Sequence, residues 1–118
     1  MKNINPEDFL PLTPAVFHIL LVLADGERHG YAIMQEVKRD TGGRVHMGPG
    51  TLYGTIKRVI AAGFVEETEE RPDPAIDDER RRYYRLTVLG RQIAAAEARR
   101  LSNVVDLAES KRLIGGLT

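Results

Sequence analysis

The chain has 118 residues, the length of one domain, and its 17 basic and 17 acidic side chains cancel, so a polyanion would have to meet positive charge gathered locally. The absence of cysteine excludes a disulfide framework, a thiolate metal site and a cysteine nucleophile, and fits a reducing cytoplasm. Residues 1–14 hold no apolar stretch of signal-peptide length, and the longest apolar run, 19–24, is far short of the roughly 20 residues of a membrane span.

Thr13-Pro14 is a helix start, an N-cap residue followed by proline at the first helical position. Ala15, Val16, Ile19, Leu20, Val22 and Leu23 then give a broad apolar face that stops at Asp25-Gly26. The preceding Phe9-Leu10-Pro11-Leu12 is too apolar for a solvated tail and is expected to pack on the core or on a second subunit. A second helix begins near His29-Gly30, carries Tyr31, Ile33, Met34 and Val37 inward, and ends where Gly42-Gly43 can take the left-handed cap. Residues 44–46 read as a short extended piece, and Gly48-Pro49-Gly50 introduces a third helix over 51–62. Residues 64–68 and 82–87 read as strands of a hairpin. The segment between them, with two prolines and a run of acids, is its long polar tip. From Thr87 a helix is predicted to reach about residue 114.

Three helices, a hairpin and a long helix make a mainly α fold with a small β-hairpin: a winged helix-turn-helix over 1–87, with a dimerisation helix over 88–118. About 26 helical residues would extend nearly 40 Å, more than the small head can cover. Its stripe of Ile93, Ala94, Ala98, Leu101, Val104, Val105 and Ala108 is therefore expected to pack against a partner subunit.

The third helix carries the clearest functional signal. Leu52, Ile56, Val59 and Gly63 fall on a core stripe, which leaves Thr51, Gly54, Thr55 and Arg58 outside, flanked by Tyr53 and Lys57. That face is small, hydroxylic and basic, with no acid along 50–60, as a helix lying in the major groove of DNA requires. Across 29–60, Lys38, Arg39, Arg44, Lys57 and Arg58 outnumber Glu36 and Asp40. On the hairpin, Arg80, Arg81, Arg82 and Arg85 are placed to clamp phosphates, or to pair with Glu66, Glu67 and the other acids of the wing.

Catalysis is not expected. His18, His29 and His46 lack metal-ligand spacing, and no acid pair or Ser/His combination stands in a catalytic context. Gly48-Pro49-Gly50 has neither a dinucleotide fingerprint nor the Gly-Lys-Ser/Thr of a phosphate loop, so no cofactor is assigned.

Four stretches in order carry a family resemblance: 19–23 with Asp25-Gly26, His29-Gly30-Tyr31-Ala32-Ile33, Gly50-Thr51-Leu52-Tyr53, and 82–87 with Gly90. With these the chain resembles the PadR family of bacterial transcriptional regulators. The resemblance implies a homodimer that grips a palindromic operator in double-stranded DNA through its third helices and wings. It places Tyr31 and Tyr53 near the DNA backbone and Thr51, Lys57 and Arg58 at groove-facing positions. Family members typically repress, and some are released by small aromatic effectors. An effector pocket here is expected between the first and last helices, near Phe17 and His18. The alternative reading is a winged helix used as a protein-interaction module.

Overall fold

A computed structural model describes residues 4–68, 71–72 and 80–115, with the backbone alone at 71–72 and 80–81. Helix α1, Pro14–Ala24, starts as its sequence dictates, with Thr13 Oγ1 accepting the Val16 N–H at 3.3 Å and Pro14 in the first turn. Its Ile19, Leu20, Val22 and Leu23 are buried, and Gly26 leaves it with φ +136°, a left-handed conformation that glycine adopts without strain. A two-residue strand, β1 (Arg28–His29), follows; nothing so short was foreseen. Helix α2, Gly30–Asp40, is capped by His29, whose Nδ1 accepts the Ala32 N–H at 3.1 Å. Its core residues are Gly30, Ile33 and Val37, with Met34 half-buried. Tyr31, expected inward, is exposed instead, because it lies off the stripe that Ile33 and Val37 define.

Gly42 and Gly43, both at positive φ, end α2 as predicted. The turn is closed by Thr41, whose Oγ1 donates to the Val37 carbonyl at 2.8 Å and accepts the Val45 N–H at 3.0 Å. Residues 44–46 form no strand, their backbone being held by this turn. Helix α3, Pro49–Ala61, begins with Pro49 after Gly48 and buries Leu52, Thr55, Ile56 and Val59.

Strands β2 (Val65–Glu67) and β5 (Tyr83–Leu86) pair antiparallel with Val65 opposite Leu86, and β1 adds to the far edge of β5 to give the order β1-β5-β2. The hairpin continues outward as β3 (Arg71–Pro72) and β4 (Arg80–Arg81), so the segment expected to be wholly loop is paired at its base. Its acidic tip, 73–79, lies outside the described residues.

Helix α4, Val88–Ser110, stops short of the expected 114. Thr87 Oγ1 caps it by accepting the Gly90 N–H at 2.9 Å, and donates to the Gly63 carbonyl at 2.6 Å. The helix reaches the sheet at Gly90, where a Cβ would stand 1.9 Å from the Phe64 carbonyl oxygen; only a residue without one fits. Ile93 and Ala94 enter one core with Ile19, Leu20, Ile33, Leu52, Ile56 and Phe64. Each large aliphatic side chain buried there is worth roughly 1.5–3 kcal/mol. The N-terminal segment packs on the same core, as its apolar character required: Leu10 and Leu12 are partly buried and Phe9 meets Phe64 edge to face at 5.2 Å.

Candidate nucleic-acid interface

Helix α3 divides as its periodicity predicts, with one exception. Thr51, Tyr53, Gly54, Lys57 and Arg58 are exposed on the face turned from the core. Thr55, expected beside them, is 1% exposed. Its hydroxyl donates to the Thr51 carbonyl at 2.8 Å and accepts from Arg58 Nη2 at 3.2 Å, so its polar group is satisfied by its own helix and can be buried. Thr55 is thus a support for Arg58 rather than a groove contact.

What sets this face apart in charge is a helix that carries two cations and no acid. Several cations of the head and wing are matched: Arg28 Nε lies 2.8 Å from Glu36, Arg85 Nε 2.6 Å from Glu66, and Arg82 Nε 3.4 Å from Glu67. Lys57 and Arg58 have no acidic partner among the described residues, and α3 contains no acid to provide one. A helix surface left cationic in this way is poised for an external anion. At the N-terminal end of α2, Tyr31 is 46% exposed and receives a hydrogen bond from Gln35 Nε2 at 2.9 Å, while Tyr53 on α3 is 48% exposed.

The wing takes the pairing alternative where its side chains are described. Arg85 stands directly opposite Glu66 in the β2–β5 register, and the carboxylate holds the guanidinium above its ordinary pKa. Tyr84, opposite Glu67 in the same register, is buried; burial, then the Glu67 and Tyr53 charges, raise its phenol above the usual range against the pull of Arg82. The side chains of Arg80 and Arg81 lie outside the described residues.

On α4 the predicted stripe separates into two parts. Ile93 and Ala94, expected at a dimer interface, are consumed by the head's own core. Ala98, Leu101, Val104 and Val105 are exposed, Ala108 is half-buried, and Leu107 adds an exposed apolar side chain that was not anticipated. At the junction stands Glu97, 1% exposed and unmarked in the sequence. Its carboxylate accepts the Leu12 N–H at 2.7 Å and both Nε and Nη2 of Arg100. The Arg100 hydrogen bonds lower its pKa most, burial opposes them, and the Leu12 amide adds to the lowering.

Phe17 and His18 are half-buried on α1, ring centroids 6.1 Å apart. A cleft of about 630 Å³ runs along α2, lined by Tyr31, Met34, Lys38 and His46 among others, and a smaller one of about 350 Å³ lies between Leu10 and Asn103. Neither includes Phe17 or His18. Among the described residues no helix is long and apolar enough to cross a membrane.

A three-helix head closed by a small antiparallel sheet, with an unneutralised cationic face on its third helix, is a winged helix-turn-helix. The model of the PadR-like family of transcriptional regulators matches residues 19–96. The transcriptional regulator Rv3488 of Mycobacterium tuberculosis is 37% identical over 99 residues, which cover 84% of this chain and 81% of that protein. An uncharacterized 37.1 kDa protein in transposon TN4556 of Streptomyces fradiae is 36% identical over 86 residues, 73% of this chain; the match spans only 22% of that protein's length. In structure, Bacillus subtilis PadR in complex with operator DNA superposes with a TM-score of 0.62 at 23% identity, over 73% of this chain and 47% of that one. The chain belongs to the PadR-like family of transcriptional regulators.

Proposed function

We propose that the chain is a homodimeric repressor that binds a palindromic operator in double-stranded DNA. The observation that carries this is the outer face of α3, where Lys57 and Arg58 stand without an acidic partner among the described residues, beside the small residues Thr51 and Gly54. Small side chains let the helix approach base edges, and the two cations engage phosphates. Tyr31 and Tyr53 flank this surface as backbone contacts, and Arg80 and Arg81 of the wing complete it together with Arg82, whose exposed pair with Glu67 would exchange for a phosphate; Thr55 is left out. The exposed apolar part of α4, Ala98, Leu101, Val104, Val105 and Ala108 with Leu107, would be covered by the same surface of a second copy. Two recognition helices would then enter successive major grooves, half-sites about 10 bp apart or a multiple of that.

The packing of Ile93 and Ala94 in the head's core supports a dimerisation segment that begins at about 98 rather than at 88. Release by a small aromatic effector near Phe17 and His18 would require a ligand that favours one separation of the two heads over another; equal affinity for both would change nothing. The chain works in the cytoplasm, where its operator is.

The test is a titration of the protein against its own upstream DNA, with unrelated DNA as competitor, at two salt concentrations. Competitor-resistant binding with a steep salt dependence is expected. Equal, weak binding to both DNAs would assign the winged helix to protein interaction instead.

A further inference from the structure

Gly30 opens α2 at an ordinary helical φ, so its backbone conformation does not call for glycine. The space beside it does. A Cβ on Gly30 would lie 2.4 Å from Tyr53 Oη, 2.7 Å from Cζ and 2.8 Å from Cε1. All three belong to one phenol group, from the helix that carries the cationic face. The bare edge of α2 is therefore a seat in which the Tyr53 ring lies, and the seat exists only while residue 30 has no side chain.

The seat decides where a hydroxyl goes. Tyr53 stands on α3 between Thr51 and Lys57, half exposed, and free rotation about its side-chain bonds would sweep the phenol over several ångströms. Lodged against Gly30, it is held at the start of α2, beside exposed Tyr31. A hydroxyl fixed between the first turn of one helix and the cationic face of the next can donate to a phosphate oxygen of a duplex lying on α3. We propose that Gly30 is a positioning residue for DNA binding: it touches no DNA, and its missing side chain holds the Tyr53 hydroxyl where a backbone phosphate arrives. This rests on the operator-binding reading above.

The experiment measures operator affinity of the full chain at two salt concentrations for Gly30→Ala, Tyr53→Phe, Tyr53→Leu, the Gly30→Ala/Tyr53→Leu double variant and Lys57→Ala. Gly30→Ala and Tyr53→Phe should each weaken binding by about tenfold, the scale of a hydrogen bond to a charged acceptor. Neither should alter the salt slope, since no cation has been removed. In the Tyr53→Leu background Gly30→Ala should cost nothing further. Should Gly30→Ala fail to fold, the double variant should fold again, because the clash is relieved. Wild-type affinity in Gly30→Ala, additive losses in the double variant, or a double variant that stays unfolded would each overturn the proposal. Lys57→Ala separates the two levels: an unchanged affinity and slope there would remove the DNA reading itself, whereas a shallower slope beside a silent Gly30→Ala removes only the seat.

Discussion

Replacing Gly90 by alanine should loosen the joint between α4 and the sheet, and the cost can be worked from the geometry. The new Cβ would stand 1.9 Å from the Phe64 carbonyl oxygen and 2.8 Å from its carbon. An ordinary carbon–oxygen contact is about 3.3 Å, so the two backbones must part by more than 1 Å, in a core packed as densely as an organic crystal. Neither obstacle is a side chain that could rotate away. The same carbonyl accepts the Thr87 N–H at 3.1 Å, and the Thr87 hydroxyl holds Gly63, so the opening strains both bonds. Overpacking costs about 1–3 kcal/mol and each weakened hydrogen bond up to about 1 kcal/mol. A net loss of about 3 kcal/mol is expected. With an unfolding entropy of about 250 cal/mol/K for a chain of this length, Tm should fall by about 12 °C. Thermal unfolding followed by circular dichroism at one fixed protein concentration reads this directly, since self-association would make Tm depend on concentration. Gly54→Ala is the internal control: its Cβ meets nothing within 4 Å on an exposed helix face, so it should hold or raise Tm by a few degrees. A Gly90→Ala variant within 2 °C of the parent would refute the reasoning.

Lys57→Ala and Arg58→Ala should each weaken operator binding and lower the salt slope by about one, read by fluorescence anisotropy over a salt series; slopes equal to the parent's would mean that neither side chain meets a phosphate. Leu101→Asp or Val105→Asp should give folded monomers by analytical ultracentrifugation, while Ile93→Asp should unfold the head; a Leu101→Asp protein that remained dimeric would displace the interface from this stripe. Glu97 has a folded-state pKa below its unfolded one, so its contribution to stability is present above the ordinary glutamate value and is lost as pH falls through the lowered one. Glu97→Gln should therefore be less stable than the parent at neutral pH and lose less on acidification, and parallel stability curves from pH 7 to pH 3 would contradict this.

Where a signal was local, the sequence announced the structure. Thr13-Pro14, Gly42-Gly43 and Thr87 mark helix ends because capping involves neighbours within a turn. Thr55 misled because a hydroxyl looks solvated, yet it sits a turn from both Leu52 and Val59 and discharges its polarity into the Thr51 carbonyl. Tyr31 misled in the opposite sense, its ring counted as core though it lies beside the buried stripe. The α4 stripe is one unbroken period from Gly90 to Ala108, and periodicity has no means of registering where the head beneath it ends. Glu97 was silent because its partner, the Leu12 amide, lies 85 residues away in the chain. Strand β1 was silent because two residues hold no alternation; only the exposed edge of β5 makes Arg28–His29 a strand.

The fastening of Leu12 by Glu97 has a consequence for how the protein is made. The segment before α1 waits for a residue 85 positions later, and Phe64 waits for Gly90 and Ile93 to close over it. Synthesis proceeds at about 5–20 residues per second, so for about a second a nascent chain holds the cationic helix and the wing without the wall that completes their core. A ribosome stalled before residue 97 would carry a head that is still open. A head closes only once residue 97 has been made, and a product cut short before it would present an open core to proteases.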